Sequence, residues 1–155
     1  MNDVERLLAI EEVRAVKARY FRLVDTKQWA EFRTIFTKDA TLYYPEGFPD
    51  PQGYDEAMAM IENTLRNAIS VHHGHMPEIE IIDEHNARAI WSMEDQVYLP
   101  GDAEKGIPDR VIHGAGHYHE TYRKEDGQWL IATLKLTRLR HESTAVMGVI
   151  RGNLA

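Results

Sequence analysis

Tyr118-His119-Glu120-Thr121-Tyr122-Arg123-Lys124-Glu125-Asp126-Gly127-Gln128-Trp129-Leu130-Ile131 is the stretch on which the architecture turns. Tyr118, Glu120 and Tyr122 alternate before Asp126-Gly127, and Trp129 and Ile131 alternate after it. An Asp-Gly pair accepts the positive φ angles of a tight turn, so the stretch reads as two antiparallel strands joined by a hairpin. The two-residue period reaches back to Ile69, broken by turn-forming Asp83-Glu84-His85-Asn86 and Pro100-Gly101-Asp102. From Ile69 onward the chain therefore predicts a series of antiparallel strands.

Before Ile69 the period is helical. Ile10, Val13, Val16, Tyr20 and Val24 recur at steps of three and four and predict one buried stripe on a helix over residues 4–25. Asp25 ends it, and Thr26 is expected to cap a second, short helix carrying Trp29, Phe32, Ile35 and Phe36. Residues 40–44 alternate as a strand with Leu42 and Tyr44 on one side. A Pro/Gly loop from Pro45 to Gly53 leads to a third helix over residues 54–67, with Met58, Ile61 and Leu65 inward. Helices first and strands afterward indicate an α+β domain, three N-terminal helices packed on one face of a curved, mainly antiparallel sheet.

The chain of 155 residues, 43% of them hydrophobic, is the right size for one compact domain. We read residues 1–140 as that domain and 141–155, with weak periodicity, as a tail or pocket flap. A formal charge of −7 with interspersed signs offers no basic stripe for phosphates, so nucleic acid is not an expected partner; a small neutral or hydrophobic ligand is. Without cysteine there is no disulfide framework, thiolate nucleophile or cysteine zinc site. The first residues lack an apolar signal core and no apolar run could cross a bilayer, so a cytoplasmic protein without membrane association is expected.

Several polar residues fall on apolar faces. Ala87, Ala89, Trp91 and Met93 share strand parity with Asp95, and Leu130, Ala132, Leu134 and Leu136 share it with Arg138. A buried charge left unpaired costs about 3–5 kcal/mol, so Asp95 and Arg138 either need partners or a polar ligand, or belong to structural ion pairs or strand ends that have already reached solvent. Tyr20 and Tyr44 are either core aromatics or pocket donors, and Asp25 either a helix-ending residue or the partner of a histidine. In Ser70-Val71-His72-His73-Gly74-His75-Met76-Pro77-Glu78, alternation counted back from Ile79 and Ile81 puts His73 and His75 inward. Gly74 and Pro77 could mark a bulge that turns His72 inward instead. His113, His117 and His119 share another parity, but no ligand spacing such as His-Glu-x-x-His occurs, so no metal or other cofactor is expected. His117 and His119 are read as exposed, inter-subunit or pocket-lining polar groups.

The stretches Ala18-Arg19-Tyr20-Phe21-Arg22-Leu23-Val24-Asp25, His72-His73-Gly74-His75-Met76-Pro77-Glu78-Ile79, Trp91-Ser92-Met93-Glu94-Asp95 and Gly116-His117-Tyr118-His119-Glu120-Thr121-Tyr122 resemble the SnoaL-like group of the nuclear-transport-factor-2-like superfamily. Within it the chain looks similar to the dehydratase branch that includes scytalone dehydratase and the bile-acid dehydratase, with lindane dehydrochlorinase further off. The resemblance implies a cone-shaped barrel around a pocket, and a catalytic dyad at His72 and Asp25 with Tyr20 polarising the substrate. It implies substrate-binding roles for Tyr44, Asp95 and Arg138, to which pocket-facing readings of Trp91 and His117 are added. Scytalone dehydratase has a histidine at or near the position of Asp95, a departure that argues against a scytalone-like substrate. The implied activity is a cofactor-independent dehydratase acting on a small cyclic or polycyclic hydroxy-carbonyl compound. A ketosteroid-isomerase-like isomerase and a non-catalytic ligand-binding or assembly domain are the alternatives. A homodimer or homotrimer is also implied.

Overall fold

The computed structural model describes residues 1–47 and 49–146. Helix α1 spans Asp3–Asp25, and α2, Trp29–Phe32, runs into a 3-10 turn at Arg33–Ile35. Strand β1 (Phe36–Tyr43) and the two-residue β2 (Gln52–Gly53) precede α3 (Tyr54–Leu65). Then come β3 (Ile69–Gly74), β4 (Glu78–Ile81), β5 (Asn86–Leu99), β6 (Asp109–Glu125) and β7 (Gln128–Val146). The strands form one sheet in the order β2-β1-β7-β6-β5-β3, with β4 also paired to β5. Among the described residues, only the β1–β7 pairing is parallel. The three helices lie on this strongly curved, cone-like α+β sheet, which stays open between β2 and the β3–β4 edge and so is not a closed barrel.

The hairpin turn forms as its residues require: Asp126 and Gly127 have φ of 47° and 78°. At the other end of the chain, Asn2 and Glu5 exchange side-chain and backbone hydrogen bonds in a capping box that starts α1. The buried stripe of α1 is Ala9, Val13, Val16, Lys17, Tyr20, Leu23 and Val24. It packs against inward residues of the sheet, among them Trp91, Met93, Tyr118 and Leu136. Each large apolar side chain buried in this way contributes roughly 1.5–3 kcal/mol. At Gly74 the sheet passes close against α1: a Cβ there would lie 2.5 Å from Phe21 Cε2.

Bulges decide which residues face inward. Gly74 pairs with Met93 and Glu78 with Ile90, so three residues, 75–77, stand opposite two, 91 and 92. The extra residue reverses parity, so that His72 and Ile81 are both inward-facing. In β7, Tyr122 pairs with Ile131 but Thr121 with Thr133, which leaves Ala132 unpaired; Leu139 is skipped in the same way. Trp129 and Ile131 are therefore the buried residues before the first bulge, not Leu130 and Ala132 as simple alternation predicts. Arg138 keeps the parity of Leu134 and Leu136.

Three further expectations are corrected. Phe36 opens β1 rather than closing the second helix. Thr26 is the C-cap of α1, its hydroxyl donating to the Arg22 carbonyl, while Gln28 precedes α2. Residues 141–146, expected to begin the tail or flap, extend β7, with Val146 opposite Asp109. Their exposure on both faces explains the weak periodicity. The rest of the expected tail, 147–155, lies outside the described residues. Among the described residues, no helix is long and apolar enough to cross a membrane.

Candidate active site

The end of α1 sets the position of Asp25. Gln28 N–H donates to the Leu23 carbonyl at 3.0 Å and Lys27 N–H to the Val24 carbonyl at 3.4 Å, the paired bonds of a Schellman motif. Lys27 occupies the left-handed position with φ 61°, where glycine is usual. The helix thus stops abruptly, leaving Asp25 beside β3. Its Oδ1 lies 2.6 Å from His72 Nδ1 and accepts from the Ser70 hydroxyl at 2.8 Å, while Oδ2 accepts from the His72 backbone N–H at 2.8 Å. Lys27 Nζ donates in turn to Ser70 Oγ at 2.7 Å. The lysine's pKa is lowered by burial, against the opposing pull of Asp25.

His72 is well covered, with 8% side-chain exposure against 21% for Asp25. His73 and His75, the residues that simple alternation turned inward, are 60% and 53% exposed and approach Glu94 on the outer face. A carboxylate on Nδ1 favours the tautomer with the proton there, leaving the Nε2 lone pair free to accept one.

His72 lines a cavity of about 160 Å³ together with Tyr20, Tyr44, Asp95, Tyr118 and Arg138. Apolar walls come from Val24, Ile61, Leu65, Val97, Ile112 and Leu136. A cavity of roughly 150 Å³ accepts a benzene-sized molecule, so the volume suits a single ring. The Tyr20 and Tyr44 hydroxyls are 2.9 Å apart. Burial pushes both phenols well up from their ordinary range, as it does Tyr118, so all three remain protonated donors at neutral pH. A wider depression of about 670 Å³ lies on the opposite face of the sheet, lined by charged Glu78, Glu80, Arg88 and Lys135. It is open to solvent, and His72 and Asp25 are not among the residues that line it.

Asp95 and Arg138 close the polar end. Arg138 Nη1 is 2.9 Å from Asp95 Oδ2, and its Nε is 2.5 Å from Glu46 Oε1. The Asp95 side chain is 3% exposed, yet its Oδ1 has no partner among the described residues. That leaves one acceptor free beside the cavity. Gly114 makes this pairing possible, because a Cβ there would lie 2.2 Å from Asp95 Oδ1.

Two expected pocket residues lie elsewhere. Trp91 is inward-facing but sits in the core below the cavity, its indole N–H donating to Tyr122 at 3.1 Å. His117 is on the outer face, because the residues of β6 buried around it are Gly114, Gly116, Tyr118 and Glu120. Its carbonyl accepts from Thr137, and its ring is 6.3 Å from that of His119. Sequence reasoning overlooked Tyr118, Ser70, Lys27 and a buried Lys17–Glu120 pair. Ser70 shares parity with His72, Glu120 with Tyr118 and Tyr122, and Lys17 is four residues from Val13 and three from Tyr20; these spacings were the available signals.

Comparison with known proteins agrees with the fold. The SnoaL-like domain family matches residues 5–135. The chain is 30% identical over 135 residues to the probable cyclase FGR4 of Gibberella zeae, covering 79% of this chain and 86% of that protein. The crystal structure of a hexachlorocyclohexane dehydrochlorinase (LinA) type 2 superposes with a TM-score of 0.77 at 19% identity, covering 97% of this chain and 98% of the other. A scytalone dehydratase-like protein of Novosphingobium aromaticivorans DSM 12444 gives 0.73 at 18% identity, with 96% and 94% covered. At these identities the two structures establish shared architecture. The chain belongs to the SnoaL-like domain family.

Proposed function

We propose that this protein is a lyase of the dehydratase type, acting without a cofactor on a small cyclic hydroxy-carbonyl compound. The observation that carries the reading is the 2.6 Å contact between Asp25 and the covered ring of His72 at the cavity wall. His72 Nε2 takes the proton from the carbon next to the carbonyl, and Asp25 holds Nδ1–H and offsets the imidazolium charge. Electron density moves onto the carbonyl oxygen, which accepts hydrogen bonds from Tyr20 and Tyr44 as the bond between their two hydroxyls opens toward it. The enolate then expels the β-hydroxyl, which takes the proton from His72 and leaves as water. The products are an enone and water, and the histidine returns to its starting state.

Arg138 and Asp95 orient the substrate, with Asp95 Oδ1 accepting from a substrate hydroxyl. The names of the similar proteins, a probable cyclase and a dehydrochlorinase, fit chemistry on small molecules. The cyclase name supports a second reading, in which the same enolate attacks a carbonyl within the substrate and closes a ring. The test is to incubate wild type and His72→Ala with a panel of cyclic β-hydroxy ketones and follow enone absorbance. Turnover by wild type alone supports the lyase; equal rates, or equal inactivity, remove the basis for it.

A further inference from the structure

Directly behind the phenol rings of the cavity lies an ion pair with no contact to water. Lys17 of α1 and Glu120 of β6 have side chains 0% exposed, with Nζ 2.5 Å from Oε1. The ammonium stands 3.9 Å from the ring centroid of Tyr20 and 3.6 Å from that of Tyr118, and Phe21 is 4.8 Å away. Tyr122 donates its hydroxyl to Glu120 Oε2 and accepts from the Trp91 indole, so the carboxylate is held on both oxygens. Burial pulls the Lys17 pKa down to about 8, with Glu120 opposing the fall, so the ammonium remains mostly charged at neutral pH.

A pair like this is a costly way to fill a core, since well-packed apolar residues of similar volume are often as stable or more so. Its placement against the cavity points to electrostatics. An anionic Glu120 alone would oppose negative charge in the pocket; an ammonium against the faces of two phenols favours it. We propose that Lys17 is a positioning residue that acts through Tyr20 and Tyr118, strengthening the pocket's hold on an oxygen that acquires negative charge. This rests on the reading of the tyrosines as donors to such an oxygen.

The test compares two probes of one shape, 2-chloro-4-nitrophenolate, which is anionic at neutral pH, and neutral 2-chloro-4-nitrotoluene, binding at that pH to wild type and to Lys17→Met/Glu120→Gln. The double variant removes both charges, so no carboxylate is left buried without a partner, and circular dichroism verifies its fold. The expected result is the chloronitrophenolate bound about tenfold more weakly by the variant, with a shifted absorption maximum, and the chloronitrotoluene bound equally by both. In a Tyr20→Phe background the loss should shrink, since one of the two phenols through which it acts is gone. Equal loss of both probes, or no loss of either, overturns the proposal. If wild type binds neither probe, the pocket reading fails and this proposal with it. Failure of the turnover assay alone, with the probe pattern intact, sinks the lyase and leaves the role of Lys17 standing.

Discussion

Replacing Asp25 by asparagine tests the dyad at the level of a single proton. The carboxylate accepts three hydrogen bonds: Oδ1 from His72 Nδ1 at 2.6 Å and from Ser70 at 2.8 Å, Oδ2 from the His72 backbone N–H at 2.8 Å. An amide has one accepting oxygen. If that oxygen keeps the backbone N–H, the NH₂ group faces His72 Nδ1, which must become the acceptor, and the ring proton moves to Nε2. The nitrogen that should take a substrate proton then already carries one. In the opposite orientation, the NH₂ group faces the backbone N–H, and the unmade bond costs about 1–3 kcal/mol.

The first arrangement avoids that cost and should dominate. Loss of the general base is expected to lower kcat by about 10²- to 10⁴-fold, whereas the melting temperature should fall by only a few degrees. Nitrogen-15 spectra of labelled histidine report the tautomer directly, and enone absorbance reports the rate. Wild type should show the proton on Nδ1 and the variant should show it on Nε2. A variant that retains the Nδ1–H tautomer and wild-type kcat would refute the reasoning.

Tyr20→Phe removes one of two donors from an oxygen acquiring charge and should lower kcat by on the order of 10²- to 10³-fold with little change in KM; a raised KM with unchanged kcat would indicate simple binding instead. Gly114→Ala places a Cβ 2.2 Å from Asp95 Oδ1 and 2.3 Å from Arg138 Nη1. It should destabilise by about 1–3 kcal/mol in urea titration and weaken ligand binding; unchanged stability would contradict the packing. For Lys17, the folded pKa of about 8 lies below the ordinary 10.5, so the unfolded chain binds more protons in that window. The penalty for burying its charged form is thus in full force below about pH 8 and is relieved as pH rises from about 8 toward 10.5, by at most about 1.4 kcal/mol per unit. Above about pH 10 the buried phenols act in the opposite sense, because the unfolded chain releases their protons first. Between pH 8 and 10, wild type should therefore gain stability relative to Lys17→Met/Glu120→Gln; a constant difference would refute the assignment.

Local chemistry was the legible part of the fold. The α1 stripe, Asp126-Gly127 and the change of period at Ile69 each report on neighbours within a few residues, and the elements follow from them. Facing was legible only while strands stayed regular. One extra residue between Gly74 and Glu78 reversed the inward set, and the residues that suggested it, Gly74 and Pro77, indicate a bulge without counting its residues. Ala132 carries no such mark, which is why Leu130 was mistaken for core in place of Trp129 and Ile131. Lys17 and Glu120 were missed for another reason: each satisfies the other across the interior, and neither element alone reveals the partner. His117 failed because a histidine is equally at home on an outer face, and Tyr118 next to it was the residue with the inward parity.

The central claim is that His72 removes a proton from carbon. A simple cyclic ketone such as cyclohexanone, with no group to expel, isolates that step: incubated with the protein in D₂O, it should acquire deuterium at the carbons next to its carbonyl. The account predicts exchange with wild type that falls to the buffer rate with His72→Ala. Exchange at the same rate with both proteins, or none above buffer with wild type, would contradict it.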